Sequence, residues 1–189
     1  TTHVETWLDA PIPRLRWFGE NARVVHLPAG PEPPLDKNSL WRYLPDFAAG
    51  VRRFAQAEGL RYDLLHSHYW LSALVGRLLR EGGWDIPIVH MFHTLAAMKE
   101  AAGRGKGYRE DGRRLQAERE IVQFVDAIVA ATPLDREQMV SHYRAPSGRI
   151  SIVPPGVNLD LFRPIPLEQA RSRVGTPCNP CEDTHMLLY

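Results

Sequence analysis

Apolar and polar positions along this chain fall into two rhythms. Short, nearly continuous apolar runs of strand length occur at Ala22–Leu27 (ARVVHL), Asp63–His68 (DLLHSH), Ile86–Phe92 (IPIVHMF), Ala127–Ala131 and Ile150–Val153. His185–Tyr189 reads as one more strand, and Thr1–Trp7 as a strand or its tail. Between these runs the spacing changes. Leu40, Leu44, Phe47, Val51 and Phe54 are three or four apart, which places them on one helical face. Asp36 or Asn38 is a candidate cap for that helix and Gly59 its stop, while Pro45 marks a kink or a later start. Helices are also expected over Trp70–Leu79, Arg114–Val125 and Leu167–Val174. Thr132-Pro133 followed by Asp135 has the form of a helix start: a capping threonine, then proline at the first helical position. Ala101–Gly112 (AAGRGKGYREDG) has no apolar period and reads as a mobile loop.

Apolar strands alternating with helices predict an α/β fold, a parallel sheet covered by helices on both faces. The first strand candidate follows no Gly-rich turn and the last has nothing after it, so the chain is expected to be a piece of something longer. Composition changes this picture little. The 189 residues are 44% hydrophobic and 24% charged, with a formal net charge of +1, so no global field favours nucleic acid or a membrane surface. No apolar run reaches the length of a transmembrane helix, and TTHVETWLDAPIP lacks the basic and apolar regions of a secretory signal. A cytoplasmic location is the expectation. Cys178 and Cys181 form a lone C-x-x-C just before the last strand, with only His185 nearby, and are read as incidental loop cysteines.

Chemistry concentrates at the strand ends. In an open parallel sheet, ligands bind outside the carboxyl ends of the strands, and two consecutive strands here end in HSHY and HMFHT. His66 and His68 share a strand face, and the expectation is one packed imidazole and one at the polar rim. Tyr69 either presents its hydroxyl to a ligand or packs on the sheet edge. Thr94, before a short helix at Leu95–Lys99, suits an anionic oxygen or caps its own helix. Arg114 and Glu118 stand one helical turn apart, so Arg114 either pairs with Glu118 or turns its guanidinium fork toward a phosphate. Spacing gives no reason to single out Lys37. In SIVPPGVNLDLFRP, Asn158 and Asp160 are expected to bond locally in a turn after Gly156. No G-x-G-x-x-G, Walker-type loop, G-x-S-x-G or H-E-x-x-H is present, which removes the common dinucleotide, triphosphatase, esterase and zinc-protease readings.

The blocks HSHYWLSALVG, VHMFHTLAAMK, the Arg114/Glu118 pair, AIVAATPLDREQM and RISIVPPGVNLDLFRP resemble retaining glycosyltransferases of family four, which have the GT-B fold. HSHYWLS with HTLAAMK is most similar to the members that join N-acetylglucosamine to inositol phosphate, with sucrose-phosphate synthases as the nearest alternative. The resemblance implies two Rossmann-like domains with the active site between them. Residues 1–164 would be a partial acceptor-binding N-terminal domain without its first βα unit, and 165–189 the linker and first helix and strand of a donor-binding domain.

The resemblance further implies that Lys37, Tyr69, Thr94 and Arg114 hold the acceptor phosphate and that His93 faces the donor hexose near the scissile bond. Lys99 lies in the matching motif without an implied role. The implied reaction moves a sugar from a nucleotide-sugar co-substrate, a UDP-sugar by preference, to a small phosphorylated polyol or sugar. Transfer would proceed on one face of the sugar, with the departing phosphate helping to deprotonate the acceptor. No metal or further cofactor is implied, and a homodimer is among the expected assemblies. This piece alone is expected to be inactive. The competing class is a non-catalytic Rossmann-like anion-binding module.

Overall fold

The computed structural model describes residues 15–31, 35–103, 107 and 109–174. The expected strands at Thr1–Trp7 and His185–Tyr189, and Cys178 and Cys181, lie outside the described residues. The chain divides into two compact units, Thr1–Pro154 and Pro155–Tyr189.

In the first unit, four strands form a parallel sheet in chain order: β3 (Leu65–His68), β4 (Ile88–Met91), β5 (Ala127–Ala130) and β6 (Ile150–Ile152). Helices carry the crossovers: α2 (Tyr69–Glu81), α3 (Ala96–Gly103) with α4 (Gly112–Phe124), and α5 (Pro133–Tyr143). α1 (Leu44–Ala57) precedes β3 and packs on α2. This is the α/β architecture that the two rhythms predict. β4 is interior, and Ile88 and His90 on it are fully buried. Ile88, Ile121, Val125 and Ile128 anchor one core with Trp70 and Phe92, and Ala48, Val75 and Leu79 form a smaller one under α1. Each fully buried Ile is worth about 1.5–3 kcal/mol relative to exposure.

Local chemistry sets the helix ends. Pro45 falls in the first turn of α1, after a 3-10 turn over Leu40–Tyr43, so the proline delays the helix and does not kink it. Neither Asp36 nor Asn38 caps it: the preceding residue is Tyr43, without a side-chain cap. Gly59, at φ +63°, follows its last turn. Thr132 and Asp135 form a reciprocal capping box on α5. Asp111 caps α4 by accepting from the Arg113 N–H at 2.9 Å.

Two expectations are corrected. ARVVHL does not join the parallel sheet. Its central residues form β2 (Arg23–Val25), paired antiparallel with β1 (Leu15–Trp17) in a separate two-stranded ribbon. A β-rich run states a preference for extended backbone and not a partner. The segment read as a loop from Ala101 also begins as helix, since α3 extends to Gly103. In the second unit, Asn158 Oδ1 accepts from the N–H groups of Asp160 and Leu161 at 3.0 and 3.1 Å, the expected local turn. α6 (Leu167–Val174) follows it.

Candidate functional site

Parallel pairing sets His68 opposite Met91. The exit of β3 into Tyr69 and the exit of β4 into Phe92, His93 and Thr94 therefore lie side by side at the carboxyl edge of the sheet. A cavity of about 50 Å³ opens there, lined among others by Lys37, Asn38, Tyr69, Glu110, Asp111 and Arg114. That volume exceeds the space of a single water several-fold. Trp70 and Leu71 of the first turn of α2 also line it, and α2 has no side-chain cap. Its first N–H groups thus carry the positive end of the helix to the cavity wall. Lys37 reaches the same wall from the exposed turn before α1.

Arg114 is 3% exposed, and its fork is largely engaged within the chain. Nε donates to Glu118 Oε1 at 2.7 Å, Nη1 to Glu110 Oε1 at 2.5 Å, and Nη2 to the Thr94 carbonyl at 2.8 Å and the Thr94 hydroxyl at 3.1 Å. Its guanidinium stands 4.9 Å from the Tyr69 ring centroid. Burial opposes its charge, but the hydrogen bond and charge of Glu118, together with Tyr69 and Glu110, hold its pKa above the ordinary value. Arg114 therefore pairs with Glu118, the first of the two alternatives, and also lines the cavity. Lys37, Tyr69 and Arg114 share one wall, and Thr94 is joined to that wall through Arg114.

The amino end of α3 differs from the sequence expectation. Thr94 does not cap it. The Ala96 N–H donates to Glu118 Oε2 at 2.9 Å and the Ala97 N–H to the Tyr143 hydroxyl at 2.9 Å, while that hydroxyl donates to Glu118 Oε2 at 2.6 Å. Glu118, 0% exposed, is thus the anionic oxygen that this helix end takes. Burial and the bond to Glu118 push the Tyr143 phenol well above its usual range, against the Ala97 N–H.

His93 stands against His68, Nε2 to Nδ1, at 2.8 Å. His66 and His68 are both exposed, so neither is the packed member expected of that pair. The packed imidazole is His90, held by Ser67. Among the described residues no group of three or more His, Cys, Asp or Glu side chains could hold a metal ion. No helix among them is long and apolar enough to cross a membrane. Lys99 lies 4.0 Å from Glu110. The sequence reading missed Glu110 and Tyr143. Glu110 had a signal: with Arg114 and Glu118 it makes E-x-x-x-R-x-x-x-E, two carboxylates one turn either side of one guanidinium.

The family model for Glycosyltransferase Family 4 matches residues 9–161. A D-inositol 3-phosphate glycosyltransferase of Streptosporangium roseum is 38% identical over 179 residues, covering 94% of this chain and 40% of its own length. The protein of the same name from Xylanimonas cellulosilytica is 44% identical over 175 residues, covering 88% of this chain and 40% of its own length. Among solved structures, sucrose-phosphate synthase from Thermosynechococcus elongatus matches with a TM-score of 0.75 at 28% identity, over 89% of this chain and 41% of that one. The chain spans about 40% of the length of the curated relatives it matches.

Proposed function

This chain belongs to Glycosyltransferase Family 4, and we propose on that premise that it forms the acceptor side of a retaining glycosyltransferase that moves a sugar from a nucleotide-sugar donor to a small phosphorylated polyol, inositol phosphate by preference. The observation that carries this reading is the convergence of Lys37, Tyr69 and Arg114 on one cavity at the uncapped N-terminus of α2. Lys37 supplies charge to the acceptor phosphate, and the first N–H groups of α2 supply donors. Arg114 lines the cavity and holds Thr94 in place. With the phosphate anchored, orientation of the acceptor hydroxyl is the protein's main contribution. His93 meets the donor hexose by hydrogen bonding. The names of the relatives support inositol phosphate as acceptor. The likeness to a sucrose-phosphate synthase favours fructose 6-phosphate as the second reading.

Calorimetric titration of this chain with D-inositol 3-phosphate, fructose 6-phosphate and the two unphosphorylated compounds tests the reading. Phosphorylated ligands should bind, with inositol phosphate tighter. Lys37→Ala should weaken that binding about tenfold, the scale of one charge-assisted contact. Lys37 is exposed on a turn, so its loss leaves the fold intact. Equal binding of the unphosphorylated polyol, or no effect of Lys37→Ala, would overturn the phosphate assignment.

A further inference from the structure

Tyr69 and His93 leave adjacent strands with left-handed backbone, at φ 69° and φ 62°. That conformation costs a residue with a side chain about 1–2 kcal/mol, so packing around the two exits holds them there. The result is a paired geometry. His68 Nδ1 lies 2.8 Å from His93 Nε2, with the rings stacked at 27° and centroids 5.0 Å apart. His68 also stands 4.2 Å, centroid to centroid, from His66.

Two ring nitrogens at this distance share one proton, and only two neutral arrangements are open to them. If His93 Nε2 carries the proton, both rings are Nε2–H tautomers, the form a neutral imidazole side chain prefers in water. If His68 Nδ1 carries it, both rings must take the less favoured form. A second proton would put a cation beside His66. Partial desolvation, then the charges of His66 and His93, lower the pKa of His68, which favours its neutral ring.

We propose that His68 is a positioning residue for His93: its Nδ1 accepts the His93 Nε2–H, fixes the plane and tautomer of that ring, and leaves His93 Nδ1 as an acceptor for a sugar hydroxyl. The identity of that hydroxyl rests on the reading of His93 as the group facing the donor hexose. The pairing itself does not.

The test is nuclear magnetic resonance of the histidine-labelled chain at neutral pH. His93 should show the Nε2–H tautomer, a through-hydrogen-bond nitrogen–nitrogen coupling to His68 Nδ1, and a slowly exchanging ring proton. His68→Phe should speed that exchange about tenfold, the scale of one net hydrogen bond. His68→Asn, whose amide oxygen stands near the place of Nδ1, should restore slow exchange. An Nδ1–H tautomer at His93, an absent coupling, or equal exchange in the wild type and His68→Phe would overturn the proposal. The coupling is read in the unaltered chain, so a variant that fails to fold does not remove the test. Inositol phosphate titration of the same sample reads the acceptor site separately. Binding retained without the coupling removes the role of His68 alone.

Discussion

Acid should destabilise this chain through one imidazole. His90 on β4 is 0% exposed. Its Nδ1 stands 2.8 Å from Ser67 Oγ, and Nε2 has no hydrogen-bond partner among the described residues. The neutral ring fits, because one nitrogen is bonded and the other need carry no hydrogen. Protonation would bury a charge and add an Nε2–H with nothing to receive it. Burial therefore brings the pKa from 6.5 down to about 3; the Ser67 backbone opposes the shift, and the charges of His68, His66 and His93 add to it. The unfolded ring takes a proton near pH 6.5 and the folded ring only near pH 3, so between these values the unfolded state binds more protons. Stability from this group is complete above pH 6.5 and is lost as pH falls toward 3. One proton gives a slope of about 1.4 kcal/mol per pH unit and a ceiling of about 5 kcal/mol over the whole interval. That is a large part of the 5–15 kcal/mol typical of a domain.

Urea unfolding at pH 7, 6 and 5, followed by tryptophan fluorescence, measures it. His90→Asn keeps an amide near Nδ1 for Ser67 and removes the titration. At pH 7 the variant should be less stable by about 1–3 kcal/mol, for lost packing. Between pH 7 and 5, however, the wild type should lose about 2 kcal/mol more than the variant does. Other titrating groups act in both proteins and cancel in the comparison. Parallel stability curves for the two proteins would refute the reasoning.

Two further outcomes are expected. Tyr143→Phe removes a hydroxyl that donates to Glu118 and receives the Ala97 N–H. It should cost about 1.5–3 kcal/mol in urea unfolding at pH 7, the range for a bond to a charged group, and no change in midpoint would show that Glu118 does not depend on it. Gly30→Ala places a Cβ 2.9 Å from Tyr43 Cγ at a backbone φ of +81°. The melting temperature should fall by several degrees, at a cost above about 1 kcal/mol; an unchanged melt would mean that the Tyr43 ring yields.

The limits of sequence reading follow from how far each interaction reaches along the chain. α5 was legible down to its cap because Thr132, Pro133 and Asp135 lie within one turn and their bonds are local. α6 has the expected extent, Leu167–Val174. The Arg114–Glu118 pair was legible for the same reason as α5, since the two side chains stand one turn apart on α4. The cap of α3 was not. Its partners, Glu118 and Tyr143, come from 22 and 46 residues away.

The alternation of strand and helix periods, the polar strand ends and the family-typical blocks were written in the order of residues, because backbone preference and apolar period act over a few neighbours. Which imidazole is buried, that ARVVHL pairs with Leu15–Trp17 outside the parallel sheet, and that His68 meets His93 were decided by folding. Those outcomes depend on strand register. A shift of one residue sends a side chain to the other face of the sheet, and only packing between distant segments selects among the registers.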